Sequence, residues 1–579
     1  CSKYQQLDAQ HYQINPTVAE QFPKLLQDNS DIKGILHLWG INETEDLQTA
    51  QKLGCATALH LVQALVQAGL TNVIPMWLVT QGTQNILDAA EVVQPLQGSL
   101  WGLGRVISLE HPDLRCGRID LDPTSNVSEI IPSLIDEVFS DENEDQIAIR
   151  QGVRYVARLV RQQKQKFSDE QKSIKPEASY LITGGLGALG LEVAQWMVKQ
   201  GAKHIVLTGR RSPNETAQKI IEELEAAGSK VIVLLGDIST QDSVMKILET
   251  ISASLPPLKG VIHAAGVLSD GVLQKMSWEE FTKVMAPKVS GTWYLHQLTQ
   301  DLPLDFFVCF SSMASMLGNA GQGNYAAANA FMDAIAHYRR GQGLPGLSIN
   351  WGAWAAGGMA ARLASEHQNR MQSSGVVAID IEAGMQALGS LLSGSQSQVG
   401  VFPVNWSEFF RQTPTAEKIP FLSGFVPSQP SLSQKFSFIE ELEAKAIPDR
   451  MELLTAHIRS MLAQTLGISD AKIGMGESFF DDLGLDSLMA VELKNRIESI
   501  LNVSLSSTLL FDYPILKKLV NHLADDVIPI EFSMDNGASE NNVDMEADDS
   551  SIDNSSRFQE MSEDDVVDLL AKKLESLGG

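Results

Sequence analysis

A glycine-rich turn between a predicted strand and a predicted helix constrains the fold of this chain more than any other feature. Residues 180–183 read Tyr-Leu-Ile-Thr, and residues 184–190 continue as Gly-Gly-Leu-Gly-Ala-Leu-Gly before a stretch of helical periodicity. Gly185 and Gly187 let the backbone turn and approach a pyrophosphate, while Gly190 permits close packing of the helix. The helix N-terminus then faces the phosphate charge. The context predicts a nucleotide-binding α/β fold; the alternative is a tight turn that binds no ligand.

Length and net charge limit the number of domains and the kinds of partner that the chain can have. Its 579 residues predict about three or four domains. The net charge of −27 argues against a nucleic-acid partner, because phosphate binding needs a basic surface. No apolar run is long enough to span a bilayer, so we expect no membrane partner. The four cysteines lack metal-ligand spacing, which predicts free thiols of a cytoplasmic protein and no metal site.

Strand-like and helix-like segments alternate in residues 1–170 and again in residues 171–412, which predicts parallel sheets. The first unit has no phosphate loop, since Gly102 and Gly104 do not fit one, and we interpret it as structural. Its predicted strands are residues 34–39, 75–79 and 117–121, and its predicted helices are residues 49–68 and 128–138.

The remaining residues divide by composition. A linker at 413–449 is rich in Pro and Ser, and residues 450–527 predict a small helical bundle. Residues 528–556 predict a disordered acidic linker, because the wider stretch 525–556 has ten acidic residues and no Lys or Arg. The segment 557–579 predicts a short helix that presents an apolar stripe to a partner; the alternative is a weakly structured tail. The stripe consists of Val567, Leu570, Leu574 and Leu577, after a capping-box-like start at Ser562.

The ends of the later strands suggest a preference among nucleotides. Residues 204–207 form a predicted strand that runs into Arg210, where an NAD-selective site usually has an acidic residue. A guanidinium suits a 2′-phosphate instead, so we predict NADPH with Arg210 as the main contact. Asp237 ends the next strand and could accept from the adenine amine. The predicted cofactor-binding residues are Gly185, Leu186, Gly187, Gly190, Arg210, Arg211, Asp237, Ile238, Ala264, Ala265 and Gly266.

A set of polar residues follows this loop. Ser312 lies after a predicted strand at 306–310, Tyr325 comes thirteen residues later, and Asn329 lies four residues beyond on the same helical face. Lys288 lies upstream. The set resembles the short-chain dehydrogenase/reductase superfamily, and specifically the ketoreductase domain of modular polyketide synthases. The superfamily usually has Lys four residues after Tyr; the exchange seen here is typical of polyketide ketoreductases.

The chemistry of ketone reduction suggests a role for each residue. Tyr325 would protonate the carbonyl oxygen, although a free tyrosine has a pKa of about 10. We expect the ammonium of Lys288 to lower that pKa. Ser312 would donate a hydrogen bond to the oxygen, and Asn329 would position Lys288 or a water. The alternatives are a buried tyrosine, a strand-end serine and a surface lysine.

Two local features of this resemblance concern the product and the acyl chain. Asp270 matches the second Asp of the Leu-Asp-Asp hallmark of B-type ketoreductases, although Ser269 replaces the first, and Leu317 stands where A-type enzymes have Trp. The resemblance implies stereocontrol by Asp270 and a D-configured hydroxyl. Residues 349–354 also match the family, ahead of Gly358 and Met359, which implies a place near the acyl substrate; the tryptophans could equally be core.

Ser487 lies in the run Gly-Leu-Asp-Ser-Leu and begins a predicted amphipathic helix. Residues 451–527 resemble an acyl carrier protein, which implies 4′-phosphopantetheine attached to Ser487. The alternative for a lone match is an ordinary N-cap serine.

The resemblance covers nearly the whole chain and implies a multidomain fold. It comprises a Rossmann-like ketoreductase, with a truncated structural and a catalytic subdomain, an all-α four-helix-bundle carrier domain and a C-terminal docking helix. The implied function is NADPH-dependent reduction of a β-ketoacyl thioester on the chain's own carrier. The gap between the two α/β units is too short for an inserted enoylreductase. The alternatives are a non-catalytic carrier and docking scaffold, or a fatty-acid-type synthase fragment.

The same resemblance implies a set of partners. The carrier would need a phosphopantetheinyl transferase and would receive a β-ketoacyl polyketide intermediate. Upstream ketosynthase and acyltransferase regions would supply that intermediate, and a downstream synthase polypeptide would bind the C-terminal helix. The full assembly is expected to be dimeric.

Overall fold

The computed structural model describes residues 4–532, apart from a set of short gaps. The gaps are residues 9, 30–31, 42–43, 71–73, 88–92, 141, 163–173, 356–374, 428–437, 467, 502, 504 and 507. The predicted terminal helix at 557–579 and most of the predicted acidic linker therefore lie outside the described residues. The chain divides into two compact units: Cys1–Ser125 with Asp141–Val426, and Asn126–Ser140 with Pro427–Gly579.

The first α/β part contains the predicted parallel sheet. A short antiparallel ladder of β1 (Gln5–Gln6) and β2 (Tyr12–Gln13) precedes it. Its five strands follow the order β3-β4-β5-β6-β7, in which β6 and β7 pair antiparallel and the other neighbours pair in parallel. These strands are β3 (Ile35–His37), β4 (Met76–Gln81), β5 (Gly117–Leu121), β6 (Gln146–Arg150) and β7 (Val153–Val156). The three strands predicted from the sequence are confirmed.

Helices occupy the segments between these strands. They are α1 (Gln21–Gln27), α2 (Leu47–Gln51), α3 (Thr57–Gln67), α4 (Ser99–Glu110) and α5 (Val127–Val138). A π-helical turn, Lys52–Ala56, joins α2 to α3, so the helix predicted at 49–68 is continuous with one distortion. Gly102 and Gly104 lie inside α4, which confirms that they form no phosphate loop. Strands β5 and β6 are buried along their whole length, as expected for sheets covered on both faces.

The second α/β part is a seven-stranded sheet whose neighbours pair in parallel, in the order β10-β9-β8-β11-β12-β13-β14. The strands are β8 (Ser179–Thr183), β9 (His204–Gly209), β10 (Lys230–Leu235), β11 (Leu258–His263), β12 (Phe306–Ser312), β13 (Leu347–Trp351) and β14 (Gln398–Val401). The chain builds outward from β8 to β10 and then returns to pair β11 beside β8. This reversal opens a crevice at the carboxyl ends of the strands, where such sheets bind ligands. The expected Rossmann-like fold is confirmed.

The helices of this part cover both faces of the sheet. They are α6 (Ala188–Lys199), α7 (Glu215–Ala226), α8 (Gln241–Ser254), α9 (Trp278–Met285), α10 (Gly291–Thr299), α11 (Met313–Leu317), α12 (Gly323–Gly341), α13 (Ile381–Leu392) and α14 (Trp406–Gln412). A second π-helical turn, Ala286–Ser290, connects α9 to α10 and contains Lys288. Such insertions are frequent at functional sites because they redirect one side chain within a helix.

The other compact unit is helical. After α5, its described helices are α15 (Phe438–Ala444), α16 (Ile447–Leu466), α17 (Ser487–Leu501), α18 (Leu509–Asp512) and α19 (Leu516–His522). Leu454, Ile458, Leu493, Ile497 and Leu519 are fully buried in its core. These apolar positions recur at helical spacing, which explains the predicted all-α bundle. Among the helices that the structure describes, none is long and apolar enough to cross a membrane.

Candidate active site

The glycine-rich turn links β8 to α6 through close backbone contacts. Gly184 has a φ of +67°, in the left-handed region that favours glycine. A Cβ on Gly190 would lie 2.5 Å from the carbonyl oxygen of Gly184, so only glycine fits there. Gly187 is the N-cap residue of α6, which begins at Ala188. The helix N-terminus is therefore exposed beside a backbone cradle, the geometry a pyrophosphate requires.

The turn differs from the sequence prediction in one respect. We expected Gly185 and Gly187 to make the tight turn, but Gly184 is the residue of this loop that adopts a positive φ. Gly185 is needed for space, since a Cβ on it would lie 2.7 Å from the carbonyl oxygen of Ile182. Leu186 is half-buried and packs on the core beside β9.

The predicted nucleotide contacts lie at the carboxyl ends of neighbouring strands. Arg210 and Arg211 are exposed directly after β9. Asp237 follows β10, and its Oδ1 atom accepts hydrogen bonds from the N–H and hydroxyl of Ser239 at 2.9 and 2.6 Å. Burial raises the pKa of Asp237, but the Ser239 hydrogen bonds and the charge of Arg210 outweigh it and leave the pKa lowered. Asp237 is therefore anionic and within electrostatic reach of Arg210.

The end of β11 closes the same crevice. The N–H of Ala264 donates to the carbonyl of Thr183 at 3.1 Å, and a Cβ on Gly184 would lie 2.9 Å from the N atom of Ala265. A Cβ on Gly266 would lie 2.9 Å from Cε of Lys288. The small residues predicted from the sequence thus bring the glycine-rich turn and the lysine to the same edge of the sheet. Ile238 is buried behind them.

Four side chains proposed from the sequence converge beyond this crevice. Ser312 ends β12 and its hydroxyl caps α11, accepting from the N–H of Ala314 at 3.2 Å. Tyr325 and Asn329 lie one turn apart in α12. The Nζ atom of Lys288 donates to Oδ1 of Asn329 at 2.9 Å and to the carbonyl of Phe310 at 3.0 Å. It also lies 5.3 Å from the centroid of the Tyr325 ring.

Burial controls the ionisation of this cluster. Lys288 is only 2% exposed, and burial lowers its pKa to about 8. Burial also raises the pKa of Tyr325, while the side chains of Ser312 and Asn329 oppose the rise. Our expectation that Lys288 lowers the Tyr325 pKa below its ordinary value is wrong for this arrangement. Removing the phenolate from water raises the pKa by more than the hydrogen bonds of the polar neighbours lower it. Of the two roles expected for Asn329, positioning Lys288 or positioning a water, the hydrogen bond between Lys288 and Asn329 supports the first.

A buried polar network that was not predicted from the sequence lies beneath Ser312. Asp333 accepts from the hydroxyls of Ser315 and Ser348 at 2.7 and 2.5 Å, and from Nδ2 of Asn350 at 2.9 Å. The same Nδ2 atom lies 3.3 Å from the carbonyl of Ser312. The one available signal was the spacing of Tyr325, Asn329 and Asp333 at four-residue intervals, which puts them on one helical face.

The loop that carries Asp270 is bound to the start of α12. Oδ2 of Asp270 accepts from Nε2 of Gln322 at 3.0 Å, and Nδ2 of Asn324 donates to the carbonyl of Ser269 at 2.8 Å. Oδ1 of Asn324 accepts from the N–H of Tyr325 at 2.7 Å. Burial raises the pKa of Asp270, and the Gln322 hydrogen bond opposes it. Asn324 and Gln322, which the sequence reading also missed, therefore connect this loop to Tyr325.

The two tryptophans of the 349–354 motif belong to the core. Trp351 and Trp354 are buried, with ring centroids 4.8 Å apart, and pack among the apolar residues of the second sheet. This supports the core alternative rather than exposure to a substrate. Gly358 and Met359 lie outside the described residues.

Ser487, in the other compact unit, is the first residue of α17 and is half-buried. Oδ1 of the preceding Asp486 accepts from the N–H of Met489 at 2.7 Å, the hydrogen bond expected of an N-cap residue. Asp486 therefore supplies the cap, and the alternative in which Ser487 is an ordinary N-cap is wrong.

Three known families match successive parts of the chain. Residues 9–159 match the Rossmann fold domain of the polyketide synthase extender module SpnB, residues 178–356 match the KR domain, and residues 456–523 match the phosphopantetheine attachment site.

Individual proteins give the same result. Polyketide synthase GfsA from Streptomyces halstedii is 33% identical over 510 residues, which cover 86% of this chain but only 7% of that protein. The solved structure of A-type ketoreductases from a modular polyketide synthase is 34% identical with a TM-score of 0.61, covering 70% of this chain and 85% of that one. A C2-type ketoreductase structure is 26% identical with a TM-score of 0.62, covering 72% and 88%.

These similarities extend over both α/β parts and the helical unit. The ketoreductase fold implies the use of NADPH, and the attachment-site domain implies 4′-phosphopantetheine. The glycine-rich turn fits a bound dinucleotide: Gly184 and Gly190 lie too close to neighbouring backbone for any side chain, which leaves bare backbone beside the N-terminus of α6. The chain belongs to the modular polyketide synthases and joins a ketoreductase, an oxidoreductase acting on β-ketoacyl groups, to a phosphopantetheine-bearing carrier domain.

Proposed function

We propose that this chain reduces a β-ketoacyl thioester, held on the phosphopantetheine arm of its own carrier domain, to a D-β-hydroxyacyl thioester with NADPH. The observation that carries the proposal is the convergence of Lys288, Asn329, Tyr325 and Ser312 beside the glycine cradle. Each residue alone has an ordinary structural explanation. A buried lysine beside an asparagine, a tyrosine and a serine at the mouth of a dinucleotide cradle suits carbonyl reduction.

NADPH would be held along the carboxyl edge of the second sheet. The turn with Gly184, Gly185, Leu186, Gly187 and Gly190 would receive the pyrophosphate at the start of α6. Arg210 would contact the 2′-phosphate, with Arg211 beside it, and Asp237 and Ile238 would border the adenine. The segment from Ala264 to Gly266 would lie against the cofactor. When bound, NADPH supplies a hydride to the ketone carbon.

Tyr325 would donate a proton to the carbonyl oxygen as negative charge develops there. Its raised pKa keeps this proton in place at neutral pH. Ser312 would hydrogen-bond the same oxygen. The Lys288 ammonium, held by Asn329, would place positive charge near Tyr325 and stabilise the phenolate that forms after proton transfer. Burial of Lys288 and Asn329 strengthens their interaction, because charges attract more strongly where water is excluded.

The configuration of the product would depend on Asp270. The B-type assignment depends on this residue and on Leu317, because solved ketoreductases described as A-type and as C2-type both match the chain. The hydrogen bond between Asp270 and Gln322 supports a defined position for the loop. Chiral analysis of the product tests the assignment, and an L-configured hydroxyl would refute it.

Delivery of the substrate would require the helical unit. In this proposal residues 1–170 and 171–412 are the ketoreductase subdomains, and a linker at 413–449 leads to the carrier at 450–527. The last part of that linker is helical in the structure, since α15 and the first residues of α16 lie within it. An acidic linker at 528–556 would lead to a docking helix at 557–579. Ser487 would carry the phosphopantetheine arm. The carrier would bring the acyl group on this arm to the reductase and then deliver it to a downstream synthase polypeptide. A phosphopantetheinyl transferase and upstream ketosynthase and acyltransferase regions would be partners in a dimeric, cytoplasmic assembly.

The direct test uses the whole chain. The protein is loaded at its carrier with a β-ketoacyl phosphopantetheine, NADPH is added, and the arm is followed by mass spectrometry. Conversion to the β-hydroxyacyl form is expected in the native protein and not in Tyr325→Phe, whose NADPH binding, measured by fluorescence, should remain. No conversion by the folded, loaded native protein would favour the alternative of a non-catalytic scaffold.

A further inference from the structure

Glu110, the last residue of α4 in the first α/β part, reaches into the active-site region of the second. It is 1% exposed, and its two carboxylate oxygens accept separate backbone hydrogen bonds. Oε2 accepts from the N–H of Leu273 and Oε1 from the N–H of Gly321, each at 2.7 Å. A single carboxylate therefore joins two loops that lie far apart in the sequence.

Both loops border the proposed catalytic residues. Leu273 comes three residues after Asp270, and Gly321 comes four residues before Tyr325. The loops also contact each other directly, since the N–H of Gly271 donates to the carbonyl of Gly321 at 2.8 Å. Glu110 thus fixes the two backbone segments between which the Asp270–Gln322 hydrogen bond forms.

The helix that carries Glu110 is itself rigidly placed. A Cβ on Gly102 would lie 2.2 Å from the carbonyl oxygen of Ala326, and one on Gly98 would lie 2.7 Å from Cβ of Ala334. The backbones of α4 and α12 therefore meet beside Tyr325. Gln63 in α3 fixes the loop after Asp270 a second time, because its Nε2 atom donates to the carbonyls of Leu273 and Met276 at 2.8 Å each.

Burying a carboxylate at this point has an energetic cost. Burial raises the pKa of Glu110 to about 7, and the N–H groups of Leu273 and Gly321 oppose that rise. A purely structural contact between a helix end and two loops has a lower desolvation cost when an apolar side chain makes it. What a carboxylate adds is a separate acceptor oxygen for each of the two N–H donors, whereas an amide side chain has one oxygen and would turn its NH₂ group toward the other donor.

We infer that Glu110 is a positioning residue for the reductase: it holds the Asp270 loop and the turn before Tyr325 in register, and so controls the rate and the configuration of the hydroxyl formed. The first α/β part, whose described residues form no glycine-rich cofactor loop, thereby acts on the reaction through one carboxylate. The inference rests on the proposed function, because it requires that the chain reduce a ketone.

The test compares two conservative substitutions of buried acids in the same part of the chain. Glu110→Gln keeps the shape but turns an amide NH₂ toward one of the two N–H donors. Asp122→Asn is the control: Asp122 is 3% exposed and accepts from the N–H groups of Gln151 and Thr124, both within the first part. Unfolding temperature, kcat, KM and the ratio of D to L product are measured for each.

We expect Glu110→Gln to lower kcat on the order of 10- to 100-fold, as for a small misplacement of reacting groups, with a smaller change in KM and an eroded D to L ratio. Asp122→Asn should retain the native ratio even where its unfolding temperature falls equally. Glu110→Asp keeps both oxygens on a shorter side chain, so its kcat and D to L ratio should lie between those of the native protein and Glu110→Gln. If Glu110→Gln does not fold, Glu110→Asp provides the test in its place.

Two failures can be told apart. A native protein that reduces no ketone refutes the proposed function. A native protein that reduces the ketone, with a Glu110 variant whose kcat and product ratio equal those of Asp122→Asn, refutes the role of Glu110 alone.

Discussion

The Nζ atom of Lys288 donates a hydrogen bond to Oδ1 of Asn329 at 2.9 Å, although 41 residues separate them in the sequence. Nδ2 of Asn329 in turn donates to the carbonyl of Tyr325 at 2.7 Å. One amide side chain therefore connects the lysine of a π-helical turn to the backbone of the tyrosine. This arrangement explains how the lysine can act from a position upstream of the usual one.

Replacement of Asn329 by leucine should disable this connection with little change in volume. Lys288 would keep the carbonyl of Phe310 as an acceptor but lose its link to α12, so we expect kcat to fall on the order of 100-fold, within the range of acid–base catalysis. Steady-state kinetics with a β-ketothioester and NADPH measure this. Asn329→Asp, which retains an acceptor for Lys288, is the matched variant and should lose less. A native kcat in Asn329→Leu would contradict the role.

The pH dependence of the rate should report Lys288. Burial lowers the pKa of Lys288 to about 8, and the side chain is cationic only below that value. Because burial raises the pKa of Tyr325, the phenol keeps its proton over the same range. The rate should therefore decline as the pH rises through about 8.

A pH–rate profile on both sides of this value provides the measurement. Lys288→Arg keeps its charge to much higher pH and should lose the alkaline decline, whatever its absolute rate. An unchanged alkaline limb in that variant would assign the decline to another group.

Cofactor preference should depend on Arg210. Arg210→Glu replaces an attractive charge with a repulsive one at the proposed 2′-phosphate contact, and hydrogen bonds to charged groups contribute ~1.5–3 kcal/mol. We expect the preference for NADPH over NADH, measured as a ratio of kcat/KM values, to fall at least about 10- to 100-fold. Arg211→Glu makes the same change in net charge one residue away and should have the smaller effect. Equal effects would argue for a general electrostatic contribution instead.

Attachment of phosphopantetheine should require Ser487. Its hydroxyl is at the first position of α17, and the cap of that helix comes from Asp486, so Ser487→Ala should leave the helical unit folded. Incubation with a phosphopantetheinyl transferase should increase the mass of the native protein and leave Ser487→Ala unchanged. Ser506→Ala, at another half-buried serine of the same unit, is the control and should gain mass normally. A mass increase in Ser487→Ala would place the attachment elsewhere.

Close packing between α4 and α12 should be sensitive to a single methyl group. A Cβ on Gly102 would lie 2.2 Å from the carbonyl oxygen of Ala326, so Gly102→Ala must separate the helices. Overpacking of this kind costs ~1–3 kcal/mol, and we expect a lower unfolding temperature together with a lower kcat.

Gly54→Ala is the matched control for this packing. Gly54 lies in the π-helical turn after α2, and a Cβ there would have no atom within 4 Å beyond its chain neighbours and the backbone of its own helix. That variant should be as stable as the native protein or slightly more so, because alanine loses less backbone entropy than glycine in a helix. Equal stability of the two alanine variants would contradict the packing argument.

Much of the fold could be predicted because it depends on local patterns. The strands at 117–121 and 180–183 are apolar runs between turns, and the glycines at 184–190 identify the loop that follows. Helical spacing linked Tyr325 to Asn329. The identity of the glycine with positive φ was missed, since it depends on how Gly184 packs against Ala265.

The amino-acid sequence by itself determined the order of strands and helices, the glycine-rich turn, the resemblance to polyketide ketoreductases and the candidate residues Ser312, Tyr325 and Ser487. Only the tertiary structure decided which side chains meet. It determined that burial raises the pKa of Tyr325, and that Glu110 contacts Gly321 across 211 residues. The physical reason is that secondary structure and turns depend on neighbouring residues, whereas burial and long-range hydrogen bonds depend on the packing of one element against another.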